Sequence, residues 1–286
     1  MGTVPAAIEP THIHKVASEG FSLQVDAYEI GRPGYPQEGL AYALRELGLD
    51  KGLPKQAVDL AAGTGKLTRL LVSVPGLDVV AVEPNEAMIG GFKKVLPEVK
   101  ILQGAAQQLP FDDSSVDAIF VGQGFHWFAH EAALVEIHRV LRPGGGLALL
   151  WNREDDGAPW AAELLQVFEP LSRGIPQYWT GDWVRVWEGD YAKKHFDAPD
   201  QDPRSRSRFF RHTTKVTRQQ AWERILSRSY VASLAPEKQA EVKAQVNAVL
   251  ERHGKNFLAP HAGADTSQEL AEVPLRLEVF IARKRG

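Results

Sequence analysis

The run Val58-Asp59-Leu60-Ala61-Ala62-Gly63-Thr64-Gly65-Lys66-Leu67 places two glycines directly after a short apolar stretch. Glycine lets the chain turn tightly and lets a ligand approach the backbone closely. Eighteen residues beyond Gly65, Glu83 ends a second apolar run. A carboxylate there can accept hydrogen bonds from both hydroxyls of a ribose. Together these residues describe a site for a nucleoside-bearing ligand. A dinucleotide turn wants a third glycine, but Thr68 stands in its place. The spacing from Gly63 to Lys66 is too short for the phosphate-cradling loop that ends in Gly-Lys-Ser/Thr. Asp59, at the strand end, would repel a pyrophosphate and pair with a ligand ammonium directly or through water. A ligand with an ammonium, a ribose and no phosphate fits best.

These residues need a scaffold, and the surrounding pattern supplies one. Ala57–Leu60, Asp78–Val82, Val99–Leu102, Val116–Val121 and Gly146–Trp151 read as five strands rich in Val, Ile and Leu. Helical patterns lie between them, and Tyr35–Leu47 reads as an amphipathic helix ahead of them. Strands that are apolar throughout, alternating with helices, predict a parallel sheet covered on both faces. After Asn152 the texture changes. Residues 157–200 are rich in aromatics and punctuated by proline; then come a strand over Arg206–Thr214, helices over Arg218–Ser233 and Pro236–His253, and a last strand over Leu275–Ala282.

Composition narrows the function classes. Of 286 residues, 44% are apolar and 24% charged, which excludes a mainly disordered chain. A net charge of −3 gives no global attraction to nucleic acid or anionic membrane. No apolar run approaches the length of a membrane span, and the first 22 residues lack the core of a secretory signal. With no cysteine, disulfides, thiolate metal sites and a cysteine nucleophile are excluded. No cluster of His, Asp and Glu has metal-ligand spacing, so no metal is expected. The expected setting is cytoplasmic, and oligomeric state is not legible.

Four motifs occur in order: Asp59–Gly65, Val82-Glu83-Pro84, Gly104–Phe111 and Leu141–Gly146. Together they resemble class I S-adenosylmethionine-dependent methyltransferases. Tyr28-x-x-x-Arg32-Pro33-x-Tyr35-Pro36 and Phe125-His126-Trp127-Phe128 look like the small-molecule branch that includes trans-aconitate methyltransferase-like proteins. The resemblance covers residues 25–152, with a looser echo in Leu275–Ala282. It implies a Rossmann-like α/β sheet of seven strands, mostly parallel with an antiparallel last strand, helices on both faces, and a helical, aromatic cap. One domain over 1–286 is expected, with core 25–152 and 205–286. The cap is inserted at about 153–204, and helices over 218–253 could extend it.

By this resemblance, Asp59, Ala61, Gly63 and Gly65 would line the methionine end of S-adenosyl-L-methionine, and Gly122 would lie beside it. Glu83 would hold the ribose. Pro84 and Met88 would cover the adenine, and Ala106 and Gln107 would meet its edge. Tyr28 and Arg32 would close over the cofactor carboxylate.

The end of the fourth strand brings Gly122 to Trp127 to the rim where acceptor and methyl meet. Trp151 ends the fifth strand and brings Arg153 to the same rim. His126 could act as a base, since an ordinary imidazole titrates near 6.5, or could only wall the pocket with Phe125 and Trp127. Trp179, Trp183 and Trp187 recur every four residues. On a helix they form one stripe, either core or, with Tyr178, an acceptor-facing lid. Arg204, Arg206, Arg208, Arg211, Lys215, Arg218, Arg224 and Arg228 are opposed only by Glu223. That run reads as a solvated strand edge, a patch for an anionic acceptor, or an RNA contact.

The expected function is methyl transfer to a small-molecule acceptor, foremost onto a carboxylate or hydroxyl oxygen. N-methylation, an RNA or protein acceptor, and a cofactor-binding protein without turnover remain alternatives. Nucleic acid is a disfavoured partner, and no membrane is expected.

Overall fold

The computed structural model describes residues 31–52, 54–197, 203–253, 257–258 and 270–285, together with residues 25 and 29. Tyr28 lies outside the described residues. Helix α1 (Gln37–Glu46) starts after Pro36. The core then alternates β1 (Lys55–Leu60), α2 (Thr68–Leu71), β2 (Leu77–Glu83), α3 (Glu86–Val95), β3 (Ile101–Gln103), β4 (Val116–Gly122), α4 (Glu131–Val140) and β5 (Leu141–Glu154). The strand order is β3-β2-β1-β4-β5-β8-β6, with β6 (Arg208–Thr217) at the edge and β8 (Leu270–Arg283) inside it. Strands β1 to β5 pair in parallel, while β8 runs antiparallel to both β5 and β6. A two-residue strand, β7 (Phe257–Leu258), also pairs with β8. The expected mixed sheet is therefore present, and strand order reverses between β1 and β4.

Alternation along the strands explains the layers. Val58, Leu60, Ile119, Val121, Leu147 and Leu149 point into one core with α4. Ala57, Ala118, Phe120, Ala148 and Leu150 point into the other, against Leu40, Ala43 and Leu47 of α1. Burial on both faces makes each central strand apolar throughout. A third cluster joins α5 (Pro159–Phe168), α8 (Arg218–Leu226) and α10 (Pro236–Arg252) over β6 and β8. Among the described residues no helix is long and apolar enough to cross a membrane.

Between β5 and β6 the tryptophan stripe does not form. Tyr178–Thr180 and Asp182–Val184 are separate 3-10 turns, followed by α6 (Arg185–Glu188) and α7 (Asp190–His195). Gly181, between the turns, has φ +76, which breaks a continuous helix. Trp183 and Trp187 are consequently fully buried beside Phe125 and Phe280. Trp179 faces Tyr230 instead, on the other side of the break.

The glycine turn serves two purposes. Gly65 has φ +87, and a Cβ there would stand 2.6 Å from Leu96 Cδ1 and 2.9 Å from Phe92 Cδ2. Its glycine answers to a positive φ and to close packing against Phe92 and Leu96. Gly65→Val should cost about 1–3 kcal/mol of stability through backbone strain and overpacking. The check is the midpoint of urea unfolding, which an irrelevant glycine would leave unchanged.

Candidate active site

One cleft opens at the carboxyl ends of the parallel strands, where the strand order reverses, the position at which open α/β sheets bind ligands. It encloses about 1300 Å³, its mouth included. Three positive-φ residues stand at its rim: Ala61 (+58), Gly63 (+58) and Gln123 (+63). Each non-glycine residue held this way costs about 1–3 kcal/mol, and such strain concentrates at functional sites. Gln123 is fixed by its own amide, which donates to the Asn152 carbonyl (2.8 Å).

At one end of the cleft, Glu83 accepts from the Gly63 N–H (2.9 Å) and, with its other oxygen, from the Asn85 N–H (3.0 Å). Asn85 caps α3 by accepting from the Met88 N–H (3.1 Å), which seats Met88 in the wall. One carboxylate therefore ties the glycine turn to the start of α3. Burial pushes the Glu83 carboxyl up to about 7, against the pull of the two N–H groups. Pro84, Ala106 and Gln107 continue this wall. Gln107 and His130 meet nitrogen to nitrogen at 2.8 Å, and His130 also caps α4.

At the other end stand Asn152, Arg153 and Glu154 from β5, Gln177, Tyr178 and Trp179 from the cap, and Arg228, Ser229 and Tyr230 from the junction of α8 with α9 (Ser229–Ala232). Arg153 pairs with Glu169 (2.9 Å) and lies over the rings of Tyr178 (5.2 Å) and Trp179 (5.6 Å). Glu154 Oε1 accepts from Arg224 (2.9 Å) and Arg228 (2.8 Å), all three buried. Burial opposes its charge, but the two guanidiniums outweigh that and hold the carboxyl below its usual range.

Arg32, Ala61, Gly63, Glu83, Pro84, Met88, Ala106, Gln107, Gly122, His126, Trp127, Arg153, Tyr178 and Trp179, all expected in the site, line this cleft. Five others do not. Asp59 turns its carboxyl away to accept from Thr68 (2.6 Å), and burial pushes it up to about 7. Gly65 packs on α3, as described. Phe125, Trp151 and Trp183 are fully buried in the core beneath the rim, where Trp151 on β5 and Phe125 and Trp183 on 3-10 turns pack ring against ring. His126 lines the cleft, and burial, assisted by Arg32, pushes its imidazole down to about 3. It is neutral throughout the physiological range and a weak base.

Glu278 of β8 lies opposite Trp151 in the register, and neither of its oxygens has a hydrogen-bond partner among the described residues. Burial pushes it up to about 7, with Arg153 opposing. The folded state then keeps a proton that the unfolded chain releases near 4.5, so stability is lost as pH rises from about 4.5 through 7. Glu278→Gln removes that loss. The variant should gain about 2–3 kcal/mol on wild type between pH 5 and pH 8. Denaturant unfolding at both pH values checks this, since a pH-independent difference would contradict it.

Residues 58–149 match the methyltransferase domain family. The core of this chain is therefore similar to a methyltransferase domain. Curated relatives agree. An uncharacterized methyltransferase of Mycobacterium tuberculosis is 44% identical over 150 residues, 52% of this chain and 59% of that protein. One of Schizosaccharomyces pombe is 37% identical over 154 residues, 54% of this chain and 61% of that one. The chain thus spans about three-fifths of the length of these relatives. Among solved structures, a proposed type II methyltransferase from Anaeromyxobacter dehalogenans matches with TM-score 0.56 at 21% identity, covering 89% of this chain and 97% of its own. The cyclase SpnF matches with TM-score 0.51 at 15% identity, covering 94% and 96%. These structures share the methyltransferase domain's fold, and a cyclase among them shows that the fold alone does not set the reaction.

Proposed function

We propose that this chain transfers the methyl group of S-adenosyl-L-methionine to an oxygen of a small-molecule acceptor held beneath the cap. The observation that carries this reading is a single cleft joining a ribose-type carboxylate wall to an aromatic, arginine-lined chamber. When bound, S-adenosylmethionine supplies an electrophilic methyl carbon and its own leaving group. The residues present fit that group. Glu83 offers a buried carboxylate beside a glycine at positive φ, where no side chain obstructs approach. Glu83 would hold the ribose hydroxyls, Met88 and Pro84 an adenine face, and Ala61 and Gly63 the methionine backbone. Gly122, in the wall between the two ends, lets the Tyr35 ring pack against the backbone.

In such a displacement the protein chiefly aligns the acceptor and excludes water. A hydroxyl or ammonium acceptor benefits from a base, whereas a carboxylate arrives ionised. The neutral, weakly basic His126 favours a carboxylate. His126 and Trp127 would then wall the acceptor rather than move a proton.

The test is formation of S-adenosylhomocysteine over a panel of carboxylates, phenols and amines, with the product identified by mass. No turnover with any acceptor, despite tight cofactor binding, would leave a binding protein instead. For an acceptor that reacts, His126→Ala should raise KM more than it lowers kcat. Its pH–rate profile should keep the wild-type shape between pH 5.5 and 8. A wild-type ascending limb near 6.5 that vanishes in the variant would make His126 the base.

A further inference from the structure

Four guanidiniums gather around the cap end of the cleft. Arg224 and Arg228 share one oxygen of Glu154, and Arg153 is matched by Glu169. Arg32 lies close enough to act on Tyr230 electrostatically and donates to the Ser227 carbonyl (3.3 Å). Among the described residues, Arg153, Arg224 and Arg228 are matched by only two carboxylates, Glu154 and Glu169. Glu278, behind Arg153, is held toward its neutral form by burial. The balance is positive, and buried charge without compensation is costly. Donors in the same place also lack partners. Nε of Arg228, Nε2 of Gln177 and the hydroxyl of Tyr230 have none among the described residues. Arg228 is 7%, Gln177 6% and Tyr230 3% exposed, and all three line the cleft. The rings of Tyr178 and Trp179, with Arg153 over both, lie in the adjoining wall.

Resting on the methyltransferase reading above, we propose that Arg228, Gln177 and Tyr230 form a niche that anchors an anionic oxygen group of the acceptor, distinct from the oxygen that is methylated. The acceptor is therefore a small organic anion. The separation follows from the sheet. Glu83 ends β2 and Glu154 ends β5, three strand spacings apart, which is roughly 14 Å. The methyl-bearing end belongs near β1 and β4, between them, so a group at Arg228 is held away from the reacting centre. Arg153, already bonded to Glu169 and covering two rings, positions the cap rather than the anion. Arg228 and Tyr230 thereby become specificity-determining residues.

Direct binding tests this without turnover. Benzoate, cinnamate and glutarate, each against its amide, are titrated into the protein with and without S-adenosylhomocysteine, following tryptophan fluorescence. At least one acid should bind about 10-fold or more tightly than its amide, as expected for hydrogen bonds to a charged group. Tyr230→Phe, which removes only the hydroxyl, should shrink that acid-to-amide ratio several-fold and leave S-adenosylhomocysteine affinity unchanged. The double variant Glu154→Gln/Arg228→Gln, which removes one charge of each sign, should abolish the ratio. Acids and amides binding alike in wild type, or a ratio unchanged in both variants, would overturn the niche. Loss of the methyltransferase reading looks different: S-adenosylhomocysteine would not bind wild type at all, while the acid-to-amide ratio could still be measured.

Discussion

Glu154→Leu should destabilise the protein by about 3–5 kcal/mol, the largest loss expected from any single substitution considered above. Its carboxylate is the shared partner of Arg224 and Arg228, and all three side chains are buried. Leucine would leave two guanidiniums facing each other in a dry interior. The loss has a definite pH dependence. Because the Glu154 carboxyl is held below its usual range, its contribution is fully present above about pH 4.5 and is lost only as pH falls below that. Variant and wild type should therefore differ by the same amount at pH 6 and pH 8. The triple variant Glu154→Leu/Arg224→Met/Arg228→Met should recover most of the stability, since removing every charge leaves none unpaired. Equilibrium unfolding of all three proteins checks both statements. A single variant as stable as wild type would show that the cluster contributes no net stability.

Glu83→Ala should weaken S-adenosylhomocysteine binding by roughly 100-fold and also cost stability. The ribose loses a charged acceptor, and the N–H groups of Gly63 and Asn85 lose theirs. Each buried donor left without a partner costs about 1–3 kcal/mol. Simple excision of a ligand contact would leave the fold untouched, so a lower urea midpoint distinguishes the two effects. Wild-type affinity should decline as pH falls below about 7, because a protonated Glu83 accepts poorly. Glu83→Gln should bind weakly and show no such decline. Calorimetric titrations at pH 6 and 8 decide it, and a pH-independent wild type would sever the link between ribose and Glu83.

Much of the scaffold was legible because both faces of the sheet are buried. Val79 to Val82 and Ile119 to Val121 read as strands with no tertiary information. Boundaries were less so: β5 extends to Glu154, since pairing with β8 carries it past Trp151. Glycines marked the turn, but not which of them faces a ligand. Gly63 lines the cleft, while Gly65 answers to Phe92 and Leu96 across the chain. The cap misled for a similar reason. A four-residue repeat of tryptophan implies one face only if the helix is continuous, and Gly181 interrupts it. The basic run from Arg204 to Arg228 mixes two populations. Arg208 and Arg211 lie on an edge strand, Arg211 against Asp155. Arg224 on α8 and Arg228 in the link to α9 both turn inward to Glu154. Their i, i+4 spacing was the available signal, but their partner lies 70 residues earlier. Gln177, Ser229 and Tyr230 carried no motif at all.

The position of β8 has a consequence for how this chain is made. It lies between β5 and β6, although both precede it in sequence. Until residues 270–283 emerge from the ribosome, β5 has no neighbour beyond β4, and β6 has none in the described sheet. At about 5–20 residues per second, the stretch from Glu154 to Arg283 takes on the order of ten seconds to synthesise. Once β6 has been made, the growing chain carries two open strand edges until β8 follows. Translation pauses or nascent-chain chaperones acting after residue 217 would fall within this window of greatest exposure.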